Sequence, residues 1–183
     1  MGTTRTIQKP AGESTLQIPL TAFSKVDLQE GLPVAADGTN PAYIVGTFGT
    51  DAPMIKGTDY ASGTIDEDCY LSLTIPGDYN AGGKFNLSIN AGMLAHVSDD
   101  DANLDVEAYE SDDEGSVGAD LCDTAAQSIN LVAHADYVFV IDPPTLAPGD
   151  ILFIKINLEG TDAGSGDVIQ MSIGAVKLIY DRR

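Results

Sequence analysis

Along much of this chain apolar and polar residues alternate with a period of two, and the clearest run lies in the C-terminal third. Between Asp150 and Leu158, the residues Leu152, Ile154, Ile156 and Leu158 share one face while Lys155 and Asn157 occupy the other. That is the pattern of a strand with one wet face. Asp136 to Ile141 and Val168 to Tyr180 are patterned in the same way, the second with Val176, Leu178 and Tyr180 inward and with Gly174 placed for a bulge or bend. Pro143, Pro144, Pro148 and Gly149 fill the first gap, and Gly160, Gly164 and Gly166 fill the second, so the three strands read as hairpin-connected. A closing strand this regular belongs near the centre of a sheet.

Upstream, Thr15 to Leu20 is a short strand whose Pro19 assigns it to an edge, and Tyr43 to Phe48 is another. Thr21 to Pro41 and Gly49 to Asp68 lose the alternation and read as long irregular connections of the kind that carry function or drape over a partner. Cys69 to Ile75 sets Leu71, Leu73 and Ile75 against Tyr70, Ser72 and Thr74. A turn through Pro76, Gly77, Asp78, Gly82 and Gly83 leads to Lys84 to Leu94, and the two strands read as antiparallel neighbours. Asn103 to Tyr109 and Ser128 to Ala133 complete a set of eight or nine strands. With no window of helical period to supply crossovers, the expected fold is all-β: an antiparallel β-sandwich of jelly-roll type over residues 15–183, preceded by an extended N-terminal arm over residues 1–14.

Composition supports one domain. The chain has 183 residues, enough to bury a core without disulfides or metal, and 43% hydrophobic residues with no tryptophan. Cys69 and Cys122 read as free, small core residues. The formal charge of −19 argues against nucleic acid as a partner. It is unevenly placed: no Lys or Arg occurs between Lys84 and Lys155, whereas Arg5, Lys9, Arg182 and Arg183 lie near the two ends. Should the ends meet, they form a basic pole opposite an acidic middle. The absence of an apolar leader or a long apolar run predicts synthesis in a cytoplasm and no membrane partner, and the loose myristoylation match of Met1, Gly2 and Thr6 reads as coincidental.

Several stretches resemble a known group of proteins. Leu73 to Gly83, Ala91 to Leu94, Leu104 to Tyr109, Gly118 to Asn130 and Leu146 to Asp150 resemble the jelly-roll virion structural proteins of tailed bacteriophages, which decorate or cement capsids or form appendages on them. The similarity runs from about Thr15 to the C-terminus. It implies a non-enzymatic virion protein on the capsid surface, whose partner is the major capsid protein and whose assembly is a homo-oligomer, commonly a trimer. Arg5 and Lys9 of the arm would then meet the lattice.

Little catalytic chemistry is legible. His96 and His134, the two histidines, read as structural, and no Gly-x-Ser-x-Gly elbow or complete P-loop occurs. Calcium is the one cofactor with candidate ligands, weakly in Asp99, Asp101 and Asp105, with Asp112, Asp113 and Glu114 as a second acidic set. Neither matches an EF-hand loop. The rival function is a carbohydrate-binding module or lectin-like adhesin that contacts surface glycans. Its aromatic platform would come from tyrosines on wet strand faces, of which Tyr70 and Tyr109 are the best candidates. Contact between subunits is the other use for that pair.

Overall fold

A computed structural model describes residues 11–25, 30–34, 42–47, 49–95, 101–111, 118–130, 133–142, 146–162 and 169–183. Ten strands follow in chain order: β1 (Gly12–Ile18), β2 (Tyr43–Val45), β3 (Met54–Lys56), β4 (Gly63–Thr74), β5 (Phe85–Ala95), β6 (Asp101–Glu110), β7 (Gln127–Ser128), β8 (Ala135–Val140), β9 (Ile151–Asp162) and β10 (Gln170–Arg182). The one helical element described is a single 3-10 turn, Leu20–Ala22, which Pro19 opens. Every pairing is antiparallel.

Two sheets result. One runs β2-β3-β10-β5-β8, with β1 on the same side of β10 as β3 and further along it; the other runs β4-β9-β6-β7. With the short insertion β2–β3 set aside, the eight remaining strands numbered along the chain give the orders 1-8-3-6 and 2-7-4-5, which define a jelly roll. The inward rows of both sheets meet in one core, with Leu71, Leu87, Ile89, Leu104, Phe139, Ile156 and Leu178 among its fully buried members. Each such side chain contributes about 1.5–3 kcal/mol when removed from water.

This order corrects three expectations. The strands β8, β9 and β10 are not hairpins: β8 and β10 lie in one sheet on either side of β5, and β9 lies in the other between β4 and β6. Nor are β4 and β5 neighbours, since the chain crosses between the sheets at residues 75–84. Both mistakes share a cause. Alternation tells which residues face inward but is silent on which strand lies alongside. Third, the supposedly irregular stretch from Gly49 to Asp68 contains β3 and half of β4.

Other expectations hold or shift slightly. β10 and β9 are interior strands, β1 is an edge strand, and the register slips between Ile173 and Ala175, a bulge at Gly174. The sheet claims the chain from Gly12 rather than from Thr15, so residues 12–14 belong to β1 and not to an arm; residues 1–10 lie outside the described residues. Because Gly12 pairs with Arg182, the N-terminal stretch enters the fold beside the C-terminal arginines.

Loops bind the sheets together. In the β4–β5 crossover Tyr79 is fully buried, donates its hydroxyl to Gly83 O (2.9 Å) and packs edge-on against Phe85 at 5.3 Å. The crossover is also tied to β10: Tyr180 Oη donates to Asp78 Oδ1 (3.0 Å), and Asn80 N to Asp181 O (2.8 Å). On the flank, residues 120–129 bridge β6 to β8. Leu121 N donates to Ala108 O (2.7 Å), Asp123 N to Val140 O (3.0 Å) and Gln127 Nε2 to Val138 O (3.0 Å). The open edge of β8 is thereby covered, which removes a template for pairing with other chains.

Candidate functional site

The outer face of the β4-β9-β6 sheet brings the two candidate tyrosines together. Tyr70 on β4 pairs across to Lys155, which pairs on to Glu107; one step along, Ser72 pairs to Phe153, which pairs to Tyr109. Tyr70 and Tyr109 therefore stand two strands apart and one outward step offset, about 12 Å between Cα atoms from strand spacing and rise. Phe153 and Lys155 fill the row between them. Tyr70, Glu107, Tyr109, Phe153, Ile154 and Lys155 line a depression of about 220 Å³.

Its polar groups form a connected set. Tyr70 Oη donates to Asp68 Oδ2 (3.0 Å) and Tyr109 Oη to Glu107 Oε2 (2.7 Å), each reaching two residues back along its own strand. Lys155 Nζ donates to Glu107 Oε1 at 3.0 Å and lies 3.7 Å from Asp68 Oδ1, while Asn157 Nδ2 donates to Asp68 at 2.9 Å. One ammonium thus joins the two tyrosine–carboxylate pairs. The protonation states follow. The Tyr109 hydroxyl and the Lys155 ammonium hold the Glu107 carboxyl below its ordinary value, and the hydrogen bond that Tyr109 donates to Glu107, ahead of burial and the carboxylate charge, pushes Tyr109 up to about 12. Burial works against the Lys155 ammonium, but the bond to Glu107 and the charges of Asp68 and Glu107 outweigh it and raise its pKa.

Phe153, Lys155 and Glu107 were not singled out from sequence, although one signal was there. Leu152, Ile154 and Ile156 point inward, so a phenylalanine at 153 must face out, where a large apolar ring is unusual and informative.

The remaining candidates do not join this site. Arg5, Lys9, Asp99 and His96 lie outside the described residues, as do Asp112, Asp113 and Glu114. Asp101 and Asp105 share the outer face of β6 four positions apart, about 14 Å along a strand, which is too far for one calcium ion with ligands at about 2.3–2.6 Å. Asp101 instead accepts from Asn130 Nδ2 (2.8 Å). Among the described residues no group of three His, Cys, Asp or Glu side chains is placed to hold a metal. His134 Nε2 sits 2.8 Å from the buried Ser172 Oγ, with burial lowering its pKa. Cys69 and Cys122 are free thiols, both pushed up chiefly by burial.

Charge is divided between the layers. The strands of the β4-β9-β6-β7 sheet carry nine acidic residues and the single base Lys155, whereas those of the other sheet carry three acids and three bases, Lys56, Lys177 and Arg182.

No protein-family model matches the chain, and no curated protein matches it. Among solved structures, it is similar to a xylan-binding module (14% identity, TM-score 0.47, covering 92% of this chain and 97% of that one). It is similar too to a carbohydrate-binding module of the β-sandwich superfamily (10%, 0.46, 91% and 56%) and to a chain of infectious bursal disease virus Gt strain (15%, 0.38, 80% and 36%). None of these likenesses carries a function to this chain.

Proposed function

We propose that the protein is a non-enzymatic virion structural protein, a capsid decoration or cement protein that attaches to the mature shell of a tailed phage as a homo-oligomer. The observation that carries this reading is the division of charge across the sandwich. One face is strongly acidic, while the balanced opposite sheet brings the N-terminal stretch in beside Arg182 and Arg183. A basic N-terminal stretch holding Arg5 and Lys9 would enter from that side, toward the major capsid protein, with the acidic layer turned outward. Attachment at several points of a symmetric lattice then raises the effective affinity without a large interface at any one of them. The test is the solution mass of the protein by light scattering, followed by co-sedimentation with mature shells, with and without residues 1–10; that truncation leaves β1 intact. A trimer that binds and loses binding on truncation is expected. A protein that sediments free of the shells overturns the reading.

A specific observation favours a second reading, glycan binding: the two tyrosines best suited to an aromatic platform converge, with Phe153 between them. A glycan array read with and without Tyr70→Ala tests it, and binding that needs Tyr70 is the expected result.

A further inference from the structure

We infer that the Tyr70–Phe153–Tyr109 surface is a binding site for neutral glycans and selects against acidic ones, with Lys155 as the residue that positions both tyrosines. This inference rests on the glycan-binding reading above and names its ligand class.

Three features of the face point to a saccharide. Sugar rings present apolar C–H faces and a rim of hydroxyls, and the depression offers three aromatic rings and the Glu107 carboxylate, with the Asp68 carboxylate next to it as the acceptor of the Tyr70 hydroxyl. Each of those carboxylates is partly used, Glu107 by Tyr109 and Lys155, Asp68 by Tyr70 and Asn157. An ionised carboxylate has about four acceptor sites, so both retain capacity for a ligand hydroxyl. The rings are also held before any ligand arrives, because each hydroxyl is tied to a carboxylate that Lys155 steadies from the middle strand. Groups fixed in advance lose less freedom on binding. The offset of about 12 Å between the tyrosines, diagonal across β9, suits a short run of linked sugar rings rather than a single one.

Charge decides the class. The sheet carries nine acids, of which all but the buried Glu67 and Asp162 reach solvent, against Lys155, and that one ammonium is already engaged by Glu107 and Asp68. A uronate, sialate or phosphate-bearing saccharide would meet repulsion with no free cation among the sheet's strands to offset it. A neutral chain pays no such cost. The same field disfavours a second copy of this acidic face as the occupant.

Titration calorimetry on the full chain with gluco-, manno- and galacto-oligosaccharides and with oligogalacturonate tests the inference. A neutral ligand should bind at least about tenfold more tightly than the acidic one, and Phe153→Ala should weaken it by about tenfold or more, the loss of one well-packed ring. Tyr70→Phe and Tyr109→Phe keep the rings and show whether the hydroxyl tethers matter. Lys155→Met should weaken binding while a thermal melt shows the protein still folded. Acidic binding that equals or exceeds neutral binding and depends on Phe153 overturns the charge selection and leaves the glycan reading standing. Binding indifferent to Phe153→Ala overturns the site. A folded protein that takes up none of these saccharides overturns both, and loss of shell co-sedimentation in Tyr70→Ala would assign the face to a protein partner instead.

Discussion

Replacing Lys155 with methionine isolates the polar network of the outer sheet, because methionine keeps most of the apolar stem that packs beside Phe153 and removes only the charge. The lysine makes a 3.0 Å bond to Glu107 and a longer 3.7 Å pair with Asp68, and all three side chains are about one-third exposed. Pairs of that exposure are worth about 0.2–1 kcal/mol each. Removal also leaves the Glu107 and Asp68 carboxylates facing each other, with the oxygens that held Lys155 no more than about 7 Å apart, where unscreened repulsion in water is about 0.6 kcal/mol and physiological salt reduces it further. The sum is a loss of about 1–2 kcal/mol at pH 7, or a fall of about 2–8 °C in melting temperature for a chain of this size. Since the folded state holds the Glu107 carboxyl below its ordinary 4.5, this stabilisation is present above that value and is lost as pH falls through the depressed folded value. Thermal melts of both proteins at pH 7 and pH 3, and at pH 7 in high salt, should show a gap that is widest at neutral pH and low salt and closes in acid. A gap of equal size at both pH values would mean that the lysine acts through its stem. Equal stability at pH 7 would mean that the network is solvated surface and positions nothing.

Four further outcomes are expected. Glu67 is fully buried on β4, accepts Thr58 N–H at 2.7 Å through Oε1 and leaves Oε2 without a partner; burial raises its pKa, so its favourable contribution exists at low pH and is lost as pH rises from about 4.5 through the raised folded value. Glu67→Gln should stabilise the protein at pH 7 by about 1–3 kcal/mol and flatten the fall in stability above pH 4.5, read by urea melts across pH. Gly83→Ala places a Cβ 2.9 Å from both Asn80 O and Asp181 Cβ and should cost about 1–3 kcal/mol in the same assay. Glu107→Gln should bring the ionisation of Tyr109 down from about 12 toward 10.0, followed by the ring resonances in an alkaline titration. Asp120→Ala removes the acceptor of the Ala108 and Cys122 amides and should raise hydrogen exchange at Asp123 and Val140 with about 1–2 kcal/mol of global cost.

What the chain declares openly is its binary pattern, and where that pattern is clean the strands lie close to where the residues place them. The first half of β4 was hidden because Glu67 occupies an inward position, so a buried acid sits where alternation demands an apolar residue and Asp66, Glu67 and Asp68 together imitate a loop. β3 is three residues long, too short for any period, and exists because β10 offers Ser172 and Ile173 as pairing partners. Sheet membership was illegible for a deeper reason. A hairpin and a crossover impose the same facing on the residues at their ends, and the choice between them is made by the packing of the whole sandwich. The site shows the same division: Tyr70 and Tyr109 could be placed on wet faces, but their convergence depends on β9 lying between β4 and β6, which no local pattern encodes.

The same division separates architecture from binding in the stretches whose sequences resemble phage virion proteins. Three of them have mechanical duties. Residues 73–83 turn the chain from one sheet to the other and anchor the turn through Tyr79. Residues 118–130 close the flank over the edge of β8. Residues 146–150 form a turn in which Asp150 Oδ2 accepts the Ala147 amide (2.6 Å), while Ile75 exchanges backbone bonds with Gly149 N (3.0 Å) and Asp150 O (2.8 Å), thereby starting the β4–β9 pairing. Each of the three specifies closure of the sandwich and none lines the depression on the outer sheet, which is reached only by the stretch 104–109, at Glu107 and Tyr109. A resemblance in these stretches is therefore evidence about architecture, and proteins sharing them can differ in what they bind. The side chains proposed to bind on this face lie largely outside them, at Tyr70, Phe153 and Lys155, the outward residues of strands whose inward residues are committed to the core. Variation at those three positions, with the turn and strap residues held constant, is the change that would redirect the same sandwich to a different partner.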